Sequence, residues 1–175
     1  MTNGNSSNRP EPTAGNEMPC RGQEDLWVFA YGSLMWNPGF PHLHSTHARL
    51  NGYHRAPCVY SWVYRGSERN PGLVMGLDEG GSCEGIAFRV AAARRDEVIA
   101  CLDARELVTA VYLKRWLPVS LASGETVEAL CYLADRDHAQ YAGSLPAAEA
   151  ARIIRRARGR AGANIDYIVN TWRHL

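Results

Sequence analysis

Residues Trp27–Trp36 read WVFAYGSLMW, an apolar run that passes without interruption into Gly32 and Ser33. Trp27, Val28 and Phe29 are aromatic or β-branched and suit a buried strand, while a glycine allows backbone angles or a close ligand approach that a side chain would block. A strand ending in a tight glycine turn is therefore expected here. Backbone N–H groups after such a glycine can converge on a carboxylate or a developing oxyanion, with the Ser33 hydroxyl beside them. Taken alone, the same letters also describe a strand that ends in a purely structural turn.

Upstream of this stretch, residues 1–25 are rich in Asn, Ser, Gly, Pro and Glu and contain no Val, Ile or Leu. They cannot bury enough apolar surface to offset the entropy of ordering, so a disordered leader is expected, followed by a single folded domain over residues 26–175. Downstream, Asn37, Pro38, Gly39 and Pro41 force a loop that carries His42, His44 and His47. The spacing H-x-H-x-x-H invites a metal reading. The segment is bounded by proline and has no carboxylate or thiol close in sequence, so no metal is assigned to it.

From Ala48 to Tyr64 the pattern is a long, irregular strand, and Arg65 to Arg69 form a charged turn before Pro71 and Gly72. Leu73–Leu77 reads as a short strand and Cys83–Val90 as another, separated by Gly80 and Gly81. At Ala91 the character changes: Val98, Ile99, Cys101 and Leu102 fall at helical spacing, and the helix should finish between Arg105 and Leu107. Tyr112–Leu121 and Thr126–Ala134 read as strands joined at Ser123 and Gly124. After a loop to Pro146, Ala147–Arg158 and Ala163–Trp172 read as helices on either side of Gly159 and Gly162. Five to seven strands and three short helices make an α+β domain built on a mixed, curved or barrel-like sheet.

Composition narrows the function. With 46% hydrophobic and 21% charged residues over 175 positions the chain can bury one core, and a formal net charge of +1 offers no general attraction for nucleic acid or an acidic lipid surface. The five cysteines, Cys20, Cys58, Cys83, Cys101 and Cys131, are widely spaced with no C-x-x-C pair, which argues against a zinc site or a disulfide framework. No run approaches the ~20 apolar residues of a membrane helix. A reduced, cytoplasmic protein with a small-molecule partner is the reading these features favour.

Two residues stand out chemically. Glu106, in DARELVTAVY, sits where helix gives way to strand, and apolar neighbours such as Leu107 and Val108 would raise its proton affinity and make it a usable base. The structural alternative is a surface glutamate paired with Arg105. Ser33 lies in Y-G-S-L-M rather than G-x-S-x-G, so a backbone-directed role suits it better than that of a hydrolase nucleophile. The arginines of RIIRRARGR, from Arg152 to Arg160, have no interleaved aromatics and read as the solvated face of a helix. Tyr141, on a loop of small residues, is a candidate for lining a pocket.

Together, YGSLMWNPGF, the R-G-S-x-x-x-P-G segment from Arg65 to Gly72, CEGIAF from Cys83 and ARELVTAVYL around Glu106 resemble the ChaC-like glutathione-specific γ-glutamylcyclotransferases, in order and over most of the folded region. The resemblance implies a small α+β fold with a β-barrel core and cytosolic cleavage of glutathione to 5-oxoproline and cysteinylglycine, without metal or cofactor. It implies that Glu106 is the proton acceptor and that Tyr31, Gly32, Ser33, Leu34, Met35 and Trp36 form the substrate-binding loop. Arg65 and Tyr141 are added as pocket candidates. The chain departs from the family's pattern at Ala30, Leu73, Ala110 and Val111, and it stops at Leu175, short of the longer C-terminal helices common in the family. The same base and turn would serve other γ-glutamyl amino acids or γ-glutamylamines, and a non-catalytic binding protein would keep the pocket.

Overall fold

The computed structural model describes residues 24–175. Five strands close into a barrel: β1 (Leu26–Ala30), β2 (His44–Ser61), β3 (Gly72–Val90), β4 (Tyr112–Leu121) and β5 (Thr126–Ala134), in the order β1-β3-β2-β4-β5 with β5 returning to β1. Neighbours are antiparallel except β1 and β5, which run parallel with Trp27 opposite Ala129 and Val28 opposite Leu130. Closure pairs every barrel strand on both sides and removes the exposed edges of an open sheet.

The unbroken apolar letters of β1 follow from its two buried faces. Phe29 and Tyr31 point into the barrel among Leu50, Leu77, Val119 and Cys131. Leu26, Val28 and Ala30 point outward and are covered by Val98 and Leu102 of α1 (Arg95–Glu106), a helix entered through a 3-10 turn at Ala92–Arg94. Each such fully buried Leu or Phe contributes about 2 kcal/mol relative to exposure. Strand β1 is thus the wall shared by the barrel interior and the helix-covered layer. Its C-terminal end and that of α1 are brought to the same rim.

The remaining elements are α2 (Ala147–Arg156), a short hairpin of β6 (Arg158–Gly159) and β7 (Gly162–Ala163), and α3 (Asn164–Arg173). The buried Asn164 side chain fastens α3 to the start of β3, accepting from Leu73 N and donating to Leu73 O, both at 2.7 Å. The α+β barrel anticipated from the sequence is the one observed.

Three local expectations differ. The two strands expected on either side of Gly80 and Gly81 are one strand, β3: the glycines adopt positive φ (+95° and +69°) and absorb an extra residue where the register against β2 shifts between Asn51 and Tyr53. The histidine loop is also shorter than expected. Strand β2 begins at His44, so His44 and His47 lie three apart on a strand and face opposite sides, while the His42 ring packs 4.8 Å from that of Phe88. Finally, the β6–β7 hairpin forms where only glycine breaks were expected, because strands of two residues carry no readable periodicity.

Residues 1–23 of the expected leader lie outside the described residues. Asp25, placed at its end, accepts from Arg89 Nε (2.7 Å) and Ala92 N (2.9 Å) and so ties the start of β1 to β3 and the entry of α1. No helix among the described residues is long and apolar enough to cross a membrane.

Candidate active site

At the rim where β1 and α1 end, a cavity of about 420 Å³ opens, a size suited to a small molecule. Its lining comes from four places: Tyr31–Leu34 and Trp36 after β1, Ser61–Arg65 after β2, Arg105 and Glu106 at the end of α1, and Tyr167 from α3. Tyr112 and Tyr132 of the barrel and Gln140 from the loop after β5 complete the walls used below.

The glycine turn is a 3-10 turn, Ser33–Met35, with Gly32 as its N-terminal cap. Met35 N donates to Gly32 O (2.9 Å) and Asn37 N to Ser33 O (2.9 Å). The turn therefore uses the Met35 amide internally, whereas those of Gly32, Ser33 and Leu34 precede its first internal bond. Arg55 of β2 grips the turn from behind, donating from Nε to Tyr31 O and from Nη2 to Glu84 O, each at 2.5 Å. Because the peptide is planar, a Tyr31 carbonyl held on that side directs the Gly32 N–H to the other. A Cβ on residue 32 would stand only 2.9 Å from the Tyr167 hydroxyl, so Gly32 is required by close approach.

Glu106 is the last residue of α1, and its side chain is 18% exposed. The end of the helix is fixed by Asp103, which takes a hydrogen bond from the Tyr132 hydroxyl (2.7 Å) and an ion pair from Lys114 (2.7 Å). Arg105 then spans the gap to the glycine turn. Its Nε lies 3.2 Å from Glu106 Oε1, its Nη2 donates to Ser33 Oγ at 2.9 Å, and its Nη1 donates to Asn37 O at 2.7 Å. Sequence spacing opposed two readings of Glu106, a cleft carboxylate or a carboxylate paired with Arg105. The carboxylate faces the cavity, and the Arg105 pairing expected of a surface glutamate is present although Glu106 is not on the surface.

Burial raises the Glu106 carboxyl above the ordinary glutamate value, and the Arg105 charge partly opposes that rise. Four tyrosines, Tyr31, Tyr112, Tyr132 and Tyr167, are each held protonated chiefly by burial, with the negative Glu106 adding to the effect. Tyr167 is pushed up to about 12. Tyr31 donates to Tyr132 O (2.7 Å) and Tyr112 to Met75 O (3.0 Å), while the Tyr167 hydroxyl accepts from Met75 N (3.0 Å). The surroundings of the carboxylate are thus apolar rings with neutral hydroxyls, an environment that favours proton uptake by Glu106 without competing anions.

Of the residues singled out in the sequence, Tyr31, Gly32, Ser33, Leu34, Trp36, Arg65 and Glu106 lie together on the cavity wall. Met35 lies behind it, in the layer between β1 and α1. Tyr141 lies elsewhere: it bridges to Val59 and donates its hydroxyl to Asp78 Oδ2 (2.8 Å), while Arg136 Nε engages the other oxygen, Asp78 Oδ1, at 2.7 Å. That cluster ties the loop after β5 to β3. Sequence reading missed Arg55, Tyr112 and Tyr167. Arg55 lies opposite Leu77 on β2 and carries no local motif, Tyr112 stands within the ARELVTAVYL run but is marked by nothing except the resemblance, and Tyr167 reaches the site only through the docking of α3.

Comparison with known proteins gives the family. The profile of the family described as ChaC-like protein matches residues 26–175. The glutathione-specific γ-glutamylcyclotransferase of Escherichia coli (strain K12) is 35% identical over 159 residues, covering 90% of this chain and 69% of that protein. Glutathione-specific γ-glutamylcyclotransferase 1 of Danio rerio is 34% identical over 153 residues, covering 85% and 78%. The crystal structure of the yeast γ-glutamylcyclotransferase specific to glutathione superposes with a TM-score of 0.80 at 20% identity, covering 86% of each chain, which is likeness of fold. With the family profile spanning the whole barrel and its helices, the chain belongs to the ChaC-like protein family.

Proposed function

We propose that this chain cleaves the γ-glutamyl bond of glutathione by intramolecular cyclisation, releasing 5-oxoproline and cysteinylglycine. One observation carries the reading: Arg105 joins the Glu106 carboxylate to Ser33 of the glycine turn, so a base with raised proton affinity and a set of backbone donors face one small cavity.

Nucleophile and electrophile are already tethered in a γ-glutamyl compound, so the protein's tasks are to hold the folded rotamer, move protons and stabilise charge. Ionised Glu106 takes a proton from the α-ammonium, and the freed amine attacks the γ-carbonyl carbon. The carbonyl oxygen becomes an oxyanion, for which the Gly32, Ser33 and Leu34 amides are the candidate donors; one such donor is worth about 3 kcal/mol of barrier. Collapse re-forms the carbonyl as the lactam and breaks the bond to the cysteinyl nitrogen. Glu106 returns its proton to that leaving amine and then relays to it the second proton of the attacking nitrogen, so the lactam forms neutral, the dipeptide leaves as its ammonium form, no water is consumed and the base ends as it began. The apolar rings around Glu106 keep water from intercepting the carbonyl, which would give glutamate instead of 5-oxoproline.

The test is product analysis. Purified protein incubated with glutathione is expected to yield 5-oxoproline and cysteinylglycine in equal amounts, and Glu106→Gln is expected to lose at least ~10²-fold in turnover. Release of glutamate, or a Glu106→Gln variant with undiminished 5-oxoproline formation, would overturn the assignment.

A further inference from the structure

The cavity holds a second cation whose charge the chemistry above does not use. Among the described residues of the lining, Glu106 is the lone carboxylate, and Arg105 is committed to it, to Ser33 and to Asn37. Arg65 has no carboxylate partner among the described residues. Its Nη1 donates to Ala163 O (3.1 Å) and its guanidinium lies 5.7 Å from the Tyr167 ring centroid, which leaves Nε and Nη2 without an acceptor among the described residues.

Arg65 is also held in place by its backbone. Its N–H donates to Ser61 Oγ (2.9 Å), and the preceding residues pair with the β6–β7 hairpin through Arg160 N to Val63 O (3.0 Å) and Ala161 N to Tyr64 O (2.8 Å). Gly159 packs so tightly on this segment that a Cβ there would stand 2.5 Å from Gly66 N and Tyr64 O. A guanidinium on so rigid a segment is preorganised for a planar anion, which it can bind through two parallel N–H bonds. On the same lining, Gln140 donates to Tyr60 O (2.6 Å) but its buried Oε1 accepts nothing, leaving an acceptor of the kind a peptide N–H satisfies.

Charge balance and reach identify the ligand group. The Glu106–Arg105 pair is neutral, so Arg65 leaves the cavity with one uncompensated positive charge. The γ-glutamyl end of a substrate, with its ammonium and α-carboxylate, is also neutral; a substrate matches the cavity when its other end carries one carboxylate. Tyr167 sets the distance, since its hydroxyl lies where a Cβ on residue 32, at the reacting end, would stand 2.9 Å from it, while its ring centroid lies 5.7 Å from the Arg65 guanidinium. A two-residue leaving group, ~7 Å long when extended, spans an interval of that kind.

We propose that Arg65 receives the C-terminal carboxylate of the dipeptide leaving group and thereby selects γ-glutamyl tripeptides over γ-glutamylamines and γ-glutamyl dipeptides. The inference rests on the cyclotransferase reading and adds to it a specificity determinant. The experiment compares wild type, Arg65→Met and Arg65→Lys on glutathione, on its glycyl ethyl ester and on γ-glutamylcysteine, with thermal unfolding of each variant as a check of fold. For wild type, the ester and the dipeptide are expected to show KM at least ~10-fold above that of glutathione, the order of one lost charge-assisted hydrogen bond. In Arg65→Met, KM for glutathione is expected to rise by the same factor with kcat nearly unchanged, while KM for the ester stays put; Arg65→Lys recovers part of the glutathione affinity.

Equal losses on acid and ester, or a wild type indifferent to esterification, would overturn the assignment of Arg65 while leaving the cyclotransferase reading intact. A wild type that forms no 5-oxoproline from any of the three compounds would overturn both. The comparison of acid with ester in wild type needs no variant, so a poorly folding Arg65→Met still leaves a decisive result.

Discussion

Replacing Arg105 by methionine keeps the unbranched apolar stem of the side chain and removes its cation, the one feature that acts on both halves of the site. Three links disappear together: the ion pair to Glu106 at 3.2 Å, the bond to Ser33 Oγ at 2.9 Å and the bond to Asn37 O at 2.7 Å. At 3.2 Å two unit charges attract by about 5 kcal/mol at an effective dielectric near 20. Solvent and neighbouring dipoles reduce this, and a cation this close to a carboxylate is worth about 1.4–4 kcal/mol to its ionised form. Both side chains are largely shielded, 27% and 18% exposed, so water does not erase the interaction. The sign follows from the opposed causes at Glu106: burial raises its proton affinity and Arg105 lowers it, so losing Arg105 leaves the raising cause alone.

A base must be ionised to accept a proton, so the acid limb of kcat/KM in Arg105→Met is expected at higher pH than in wild type. On the acid side of that limb the variant should be at least ~10-fold slower, the factor that 1.4 kcal/mol represents. The assay is 5-oxoproline release at glutathione concentrations well below KM, over about pH 5 to 9. Ser33→Ala is the control: it removes one hydrogen bond of the bracket and keeps the cation, so it should lower kcat/KM without moving the limb. An Arg105→Met profile depressed by one factor at every pH, with the limb in place, would refute the electrostatic role and leave Arg105 as a fastener of the turn.

Three further expectations follow from single contacts. Glu106→Gln should flatten the pH dependence of stability. A carboxyl raised by burial stabilises the fold fully below its unfolded value and loses that contribution as pH rises through its folded value, so urea midpoints of the variant should match or exceed wild type at neutral pH. In Gly32→Ala the new methyl would meet the Tyr167 hydroxyl at 2.9 Å and force it off Met75 N, costing about 1–3 kcal/mol. The double variant Gly32→Ala/Tyr167→Phe, which clears that space, should regain stability over Gly32→Ala, and failure to do so would show that the contact is not the cause. Ala110 holds φ at +57°, a left-handed conformation costing a non-glycine about 1–2 kcal/mol. After the added entropy of an unfolded glycine, Ala110→Gly should gain ~0.5–1 kcal/mol, raising Tm by roughly 1–4 °C with glutathione turnover unchanged.

What the sequence disclosed depended on how far each feature's cause lies along the chain. Strand β1 was legible because its two buried faces produce an unbroken apolar run, and β4 and β5 because a two-strand hairpin is a local event. The Gly32 turn and Glu106 were legible as letters and, through the family resemblance, as a pair. Their juxtaposition was not, since it depends on α1 folding back over the outer face of β1. The division of β3 at Gly80 and Gly81 misled because a bulge and a loop use the same residues, and only pairing with β2 on both sides distinguishes them. Tyr167 was invisible for a different reason. Its helical spacing gives it a buried side, and which cavity that side meets is settled by Asn164 fastening α3 to Leu73.

The features that cost stability are gathered at one rim: a carboxylate raised by burial at Glu106, a left-handed Ala110 four residues later, a partly satisfied guanidinium at Arg65 and an unpartnered Gln140 Oε1. Such clustering is characteristic of a functional site, where surrounding structure holds what the local chain would not choose. Here the holding contacts lie just behind the rim: Arg55 on the Tyr31 carbonyl, Tyr132 and Lys114 on Asp103, and Asn164 on Leu73. The costs differ in kind, and substitution separates them. Ala110→Gly relieves backbone strain without altering a group assigned to the substrate, so glycine there should be free of functional penalty. Glu106 and Arg65 are costly because each keeps a charge ready for a partner that arrives with the substrate, so relieving either should stabilise the empty protein and impair the loaded one. Stability gained together with turnover lost at Glu106 or with substrate affinity lost at Arg65, and stability gained alone at Ala110, is the pattern that distinguishes a preorganised site from a merely imperfect core.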